Sequence, residues 1–350
     1  LSMQSKRRLR ALIMSVTNKI EKISTEEALR KIIKSYPKIL DKRIQPTLDN
    51  YSIEFIAQAS IAAATFSDLS LGMPILDVKG DGFSIVSLST LSFIIPTHKD
   101  HTHINNMPCS LYFLIPGIGH GLRINGKAHQ ITSASNLEHS NNIIFDIQSV
   151  YLHCARAITR AELWISQLKQ HNPTIKNIIE NSPYLLLSTQ NALGNTELSP
   201  RGDPAGFVKL IDENTLLLPE RPGNKIAVSL TNIINNPSVG LSFLVPGSNT
   251  VLYVEGKAYL TTDPMLLKPL AIKDKVPKIA ILISINNLQL NDSAALERTK
   301  IWEKESHVSS KSLTTFSKAL TAHIQGEGLL GKLSNPIISG IIKHDMNNLY

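Results

Sequence analysis

With 350 residues and 42% apolar content, the chain is long enough for two domains with separate cores, which excludes a disordered or fibrous class. Its two cysteines, Cys109 and Cys154, lack metal-ligand spacing and are too few for a disulfide framework, so a reducing, cytoplasmic setting is expected. The net charge is +8, and residues 1–43, with 12 basic and 4 acidic side chains, hold all of the excess; the balanced remainder is expected to bind no nucleic acid.

Residues 1–45 read as a basic helical arm, either a surface for polyanions or membranes or a solvated extension, the commoner fate of a charge run. The opening "LSMQSKRRLRALIMSV" has too short and broken an apolar stretch for a secretory signal. No run approaches the roughly 20 apolar residues of a transmembrane helix.

Residues 46–166 read as a first β-rich domain. "LDNYSIEFIAQAS" near Leu48 is a helical lead-in, and "GFSIVSLSTLSFIIP" (Gly82 to Pro96) gives two strand-like runs broken by a polar turn. His98, His101 and His103 have ligand-like spacing but no acidic or cysteine partner nearby, so a polar loop and no metal site is expected. "FLIPGIGHGLRINGKAHQIT" (Phe113 to Thr132) is a hairpin about a Pro-Gly turn. The domain closes on "HCARAITRAELW", where Arg156, Arg160 and Trp164 recur every four residues and share one face if the segment is helical.

Residues 167–304 repeat this plan. After a helical "PTIKNIIENSPY", the strand pair "GFVKLIDENTLLLP" parallels the run from Gly82, and "FLVPGSNTVLYVEGKAYLTT" (Phe243 to Thr262) repeats the hairpin 130 positions on. "NDSAALERTKIW" then places Arg298 and Trp302 where the first copy has Arg160 and Trp164. The chain is thus a tandem duplication. Residues 305–350 form a tail with one helix, "SLTTFSKALTAHI", and a Gly-rich end expected to dock on the protein rather than anchor in a membrane.

The second copy alone carries "SPRGDP" and "ERPGN". "KIAVSLTNII" has apolar residues at helical spacing and stops at Pro237; its N-terminus, behind Pro222-Gly223-Asn224, offers free N–H groups and a positive dipole end. Arg221 and Lys225 add full charges, and Arg201, on a Pro-Arg-Gly turn, is placed to reach the same point. Together these residues spell a phosphate cradle.

Ser-Pro-Arg-Gly-Asp-Pro, Arg-Pro-Gly-Asn and Asn-Pro-x-Val-Gly-Leu, strong over residues 175–265 and weakened over 48–165, resemble the pyridoxamine 5′-phosphate oxidase-like, FMN-binding split-barrel flavoproteins. The resemblance implies a mainly β fold: two tandem six-stranded split barrels with flanking helices, packed as an intrachain pseudo-dimer. It implies that Ser199, Arg201, Gly202, Asp203, Arg221, Gly223, Asn224 and Lys225 hold the phosphate and flavin edge of FMN. The first copy lacks these motifs and its loop is about seven residues shorter by alignment, yet its "HCARAITRAELW" resembles the family's closing motif, with Arg156 where lysine is usual. The two halves have therefore lost complementary parts. Arg156, Arg160 and Trp164 from one copy and the cradle from the other would compose a single site, and so one FMN per chain.

On this reading the chain is an FMN-dependent oxidoreductase acting on a small organic substrate, with Arg160 or Arg201 stabilising negative charge at the reduced flavin's edge. The other reading, from a different class, is a flavin- or haem-binding carrier, sensor or scaffold without turnover. Substrate, electron donor and further association of chains stay open.

Overall fold

The computed structural model describes residues 21–80, 82–96, 104–131, 142–165, 174–223, 225–326, 328, 336, 338–340, 342–344 and 346–350. The first 20 residues of the basic arm, the three histidines and Asn224 lie outside the described residues. In chain order the strands are β1 (Lys22–Ile23), β2 (Ile61–Phe66), β3 (Ile75–Asp77), β4 (Phe83–Ser87), β5 (Thr90–Ile94), β6 (Met107–Leu114), β7 (Gly121–Gln130) and β8 (Asn142–His153). They continue as β9 (Tyr184–Gln190), β10 (Thr196–Gly202), β11 (Lys209–Asp212), β12 (Thr215–Pro219), β13 (Ser238–Leu244), β14 (Thr250–Thr261) and β15 (Ala280–Asp292). The helices are α1 (Glu26–Ile32), α2 (Asn50–Gln58), α3 (Arg156–Arg160), α4 (Ile175–Asn181), α5 (Val228–Asn235), α6 (Pro264–Leu267), α7 (Ala294–Thr299) and α8 (Phe316–Gln325).

The strands form two antiparallel sheets of one plan, β3-β2-β6-β7-β8-β5-β4 and β10-β9-β13-β14-β15-β12-β11, with β1 added beside β14. This is the split-barrel architecture expected, with one correction: each path has seven strands, not six. The addition is β10 and its counterpart β3, because Ser199-Pro200-Arg201-Gly202 continues an edge strand and is not a turn. An edge tolerates proline, whose missing N–H costs no ladder bond there. The Gly-Lys-Ala shared by both hairpins also gains a reason. Gly126 and Gly256 sit at the register shift of β7 on β8 and of β14 on β15, and a Cβ would stand 2.0 Å from the Asp146 carbonyl oxygen or 2.3 Å from that of Ser284.

Strands β2 and β9 are buried on both faces, which their unbroken apolar runs require. Alternation divides their side chains between cores. Ala62 and Ala64 enter the core of the first sheet and Leu185 and Leu187 that of the second, while Ile61, Ala63, Tyr184 and Leu186 meet in a third core between the sheets. At roughly 1.5–3 kcal/mol for each large apolar side chain removed from water, this third core is what holds the copies together.

The copies face each other about a pseudo-two-fold axis. Thr65 Oγ1 and its counterpart Ser188 Oγ lie 2.8 Å apart, and Trp164 stacks on its counterpart Trp302 with ring centroids 5.9 Å apart. Contacts of a residue with its own counterpart mark such an axis. Each indole N–H donates at 2.8 Å to the Pro-Gly turn of its own copy, Trp164 to the Ile118 carbonyl and Trp302 to that of Ser248.

Described segments on either side of the two sheets pack onto them. Lys22 and Ile23 pair with Thr261 and Leu260 of β14, while beyond residue 305 Val308, Leu313, Phe316 and Ala319 join the first sheet's core. His323 on α8 contacts Asp49, the N-cap of α2, at 2.5 Å. No described helix is long and apolar enough to cross a membrane.

One buried charge crosses the interface. Arg123 of β7, 1% exposed, places Nη2 2.8 Å from Glu197 and donates through Nη1 to the Leu198 carbonyl at 2.5 Å and to Ser199 Oγ at 3.2 Å. Removing one member leaves the other uncompensated in a dry environment. Arg123→Ala is expected to lower the unfolding free energy by about 3–5 kcal/mol in urea titration, and the apolar pair Arg123→Met with Glu197→Leu to recover most of it. A single variant as stable as wild type contradicts this role.

Candidate active site

The site grows from the edge strand β10 and the end of β12. Alternation along β10 turns Ser199 toward the second copy's interior, where its hydroxyl accepts from Arg123 and from Ser229 Oγ on α5 at 2.9 Å. Arg201 pairs through Nη1 with Glu220 at 2.5 Å, while its Nε is buried and has no hydrogen-bond partner among the described residues. Arg221 is 9% exposed and Asp203 fully buried; Arg221 Nε meets Asp203 Oδ2 at 2.6 Å and Nη2 donates to the Leu270 carbonyl at 2.8 Å. Arg221 thus ties the end of β12 to Asp203 and Leu270 with its charge already paired. Lys225 is exposed, and its carbonyl and that of Ile226 are held at 2.9 Å by Arg30 of α1.

The helix behind Pro222 starts later than its apolar spacing suggests. Lys225 and Ala227 take left-handed backbone angles, φ 63° and 59°, and α5 begins only at Val228. The left-handed pair turns the chain before the helix can start, so Gly223 and Lys225 sit on an exposed loop and not in a first helical turn.

Helix α3 of the first copy lies on this loop. Gly202 makes that possible, because a Cβ there would stand 2.0 Å from the Ala157 carbonyl oxygen. From α3, Arg156 Nη1 donates to the Pro222 carbonyl at 3.2 Å and Arg160 Nη2 to the same oxygen at 2.6 Å. Burial pulls the Arg160 guanidinium below its ordinary pKa, with Asp203 opposing; a guanidinium stays charged even so. Ala157, Arg160, Pro200, Arg201, Gly202, Phe207, Pro219 and Arg221 line a small cleft between the copies.

The structure therefore brings Arg156 and Arg160 to the Pro222 carbonyl and does not bring Trp164. Helix α3 ends at Arg160, Glu162 turns left-handed at φ 47°, and the Trp164 indole stacks on Trp302 and, edge-on, on His307 at 5.8 Å. The expected single helical face thus breaks before Trp164, which serves the packing about the pseudo-two-fold axis. Sequence reasoning passed over Arg123, Arg30 and Glu220. Only Arg123 left a signal, as a charge in an apolar hairpin strand where the second copy has Tyr253.

The second interface is built differently. The pairing of β2 with β3 and β6, set beside that of β9 with β10 and β13, puts Leu76 at the place of Arg201 and Asp77 at that of Gly202. Arg298 on α7, the counterpart of Arg160, stops at Asp77 with Nε 3.1 Å from its carboxylate.

Four guanidinium groups, of Arg156, Arg160, Arg201 and Arg221, and two carboxylates, of Asp203 and Glu220, meet around the composite cleft. The surplus is positive, and the buried, unpartnered Arg201 Nε is a donor without an acceptor. The cleft is chemically suited to an anion.

Residues 172–305 match the profile of a protein family described as pyridoxamine 5′-phosphate oxidase. No curated protein matches the chain. Among solved structures, HupZ of Group A Streptococcus is 19% identical over 35% of this chain and 96% of its own, with a TM-score of 0.30. A putative pyridoxamine 5′-phosphate oxidase from Lactobacillus delbrueckii is 22% identical over 36% of this chain and 99% of its own, TM-score 0.27. General Stress Protein 26 of Bacillus anthracis is 19% identical over 33% and 89%, TM-score 0.26.

The contact at Gly202 is open to a direct test. Gly202→Ala forces α3 off β10 and is expected to lower the unfolding free energy by about 1–3 kcal/mol. Gly223→Ala, whose Cβ has its nearest neighbour at 4.0 Å, is expected to change it by less than about 0.5 kcal/mol. Equal effects in chemical denaturation would remove the tight approach from the account.

Proposed function

We propose that the chain, whose residues 172–305 match the profile of the pyridoxamine 5′-phosphate oxidase family, binds one FMN in the cleft between α3 and the Pro219–Gly223 segment and acts as a flavin-dependent oxidoreductase on a small organic substrate. The observation that carries this is the meeting of Arg156 and Arg160 of one copy with the cradle of the other at the Pro222 carbonyl. In a family whose cofactor lies between two barrels, a chain holding complementary parts of the site in its two copies needs that juxtaposition.

In this reading Arg201, through its unpartnered Nε, is the principal anion donor, with Ser199, Gly223 and Lys225 completing the phosphate side. Asp203 and Arg221 fix the floor, and Gly202 lets α3 close over it. Arg160, held below its ordinary pKa by burial yet charged, supplies a positive edge that stabilises negative charge accumulating on an aromatic ring. The flavin itself supplies the capacity to take up and release electrons. The residues named do the binding, the orienting and the electrostatics.

Flavin titration of the purified chain, followed by flavin fluorescence, tests the assignment. Arg201→Ala is expected to weaken FMN binding at least about tenfold, the scale of one charge-assisted hydrogen bond, whereas Trp164→Phe, away from the cleft, is expected to stay within about twofold of wild type. Bleaching of the bound flavin by a reduced nicotinamide supports turnover, and resistance to reduction supports the carrier or sensor instead. A wild-type chain that takes no FMN, or an Arg201→Ala chain that binds it unchanged, contradicts the proposal.

A further inference from the structure

Two arginines of the cleft, and Asp203 beside them, already have partners within the chain. Tyr350 donates its phenol O–H to Asp203 Oδ1 at 2.7 Å, and its ring centre lies 5.5 Å from the guanidinium carbon of Arg160 and 5.8 Å from that of Arg221. Arg160 donates to the Leu349 carbonyl through Nε at 2.9 Å and through Nη2 as well. Lys275 Nζ holds the Tyr350 main-chain oxygen at 2.8 Å. Two consecutive residues thus engage Asp203, Arg160 and Arg221.

The chemistry of this contact is that of ligand recognition. A planar ring near two cations gains cation–π attraction that grows as the cations lose water, and both arginines are buried. Burial, then the bond to Asp203, raises the Tyr350 pKa, which keeps the phenol protonated as a donor. The Arg160 fork, meanwhile, is engaged by two main-chain carbonyls, those of Leu349 and Pro222.

We propose that Leu349–Tyr350 is a built-in competitor for the cleft. A planar aromatic cofactor with acceptor groups at its edge, drawn to Arg160 and lying over the floor that Asp203 and Arg221 form, takes the place of the Tyr350 ring, so segment and cofactor exclude one another. This rests on the flavin reading above. The chain then has a closed form, with Tyr350 seated on Asp203, and an open form that takes FMN. The apparent affinity for FMN is the intrinsic affinity reduced by the fraction of chains that are open, and loading the site expels the segment.

Two measurements on the full chain test this together: FMN titration of wild type and Tyr350→Ala, and hydrogen exchange of the Leu349 and Tyr350 amides with and without saturating FMN. The expected result is FMN binding at least about tenfold tighter in Tyr350→Ala, as for a site closed about nine times in ten. Tyr350→Phe, which keeps the ring and loses the O–H, is expected to fall between. Saturating FMN is expected to raise exchange at Leu349 and Tyr350 of the wild type to the level of Tyr350→Ala. Equal FMN affinities, or amides still protected with FMN bound, overturn the competition and leave the flavin reading standing. Absence of FMN binding in both chains overturns the flavin reading and the competition together.

Discussion

The approach of helix α3 to strand β10 at Gly202 is the constraint on which the rest of this structure depends. A helix from one copy presses its main chain against an edge strand of the other at a distance that admits no side chain. That closeness lets two short reaches, from Arg156 and Arg160, end on one carbonyl oxygen of the Arg-Pro-Gly loop. The geometry is fixed from both sides: the third core clamps the sheets together, and the Arg123 and Glu197 pair sets how they are turned. Apolar burial supplies the adhesion and buried polar contacts supply the register, a division expected where a non-directional force meets a directional one.

Duplication would have given two equivalent interfaces, and the chain has made them unequal. At one, Gly202 leaves room and Arg160 passes on to the cradle. At the other, Asp77 stands in the glycine's place and captures Arg298, while Leu76 replaces the cradle arginine. A carboxylate in place of a hydrogen atom fills the space and ends the surplus of positive charge. One exchange therefore removes both requirements of an anion site.

Much of this was legible from the sequence, for identifiable reasons. The two β-rich halves of like order and the Pro-Gly hairpins are patterns of residue type, and such patterns survive into structure when the tertiary contacts agree with them. That Arg201 and Arg221 lie near one another was readable from their clustering in sequence. What stayed hidden was set by distance. Period-four spacing put Trp164 with Arg160, but a left-handed Glu162 ends the helix between them. Ser-Pro-Arg-Gly looked like a turn because proline and glycine usually make one, and became a strand because it lies at a sheet edge. Arg30, 195 residues from the carbonyl of Lys225 that it holds, and Tyr350, 147 residues from Asp203, leave no trace in any local window.

The proposed flavin site implies one cofactor for one chain, because Gly202 leaves room at one interface while Asp77 fills the matching place and pairs with Arg298 at the other. Native mass spectrometry of the 38.6 kDa chain incubated with excess FMN reads that count directly. The account predicts a single added cofactor mass per chain. Saturation at two per chain would contradict the claim that the interface at Asp77 is closed.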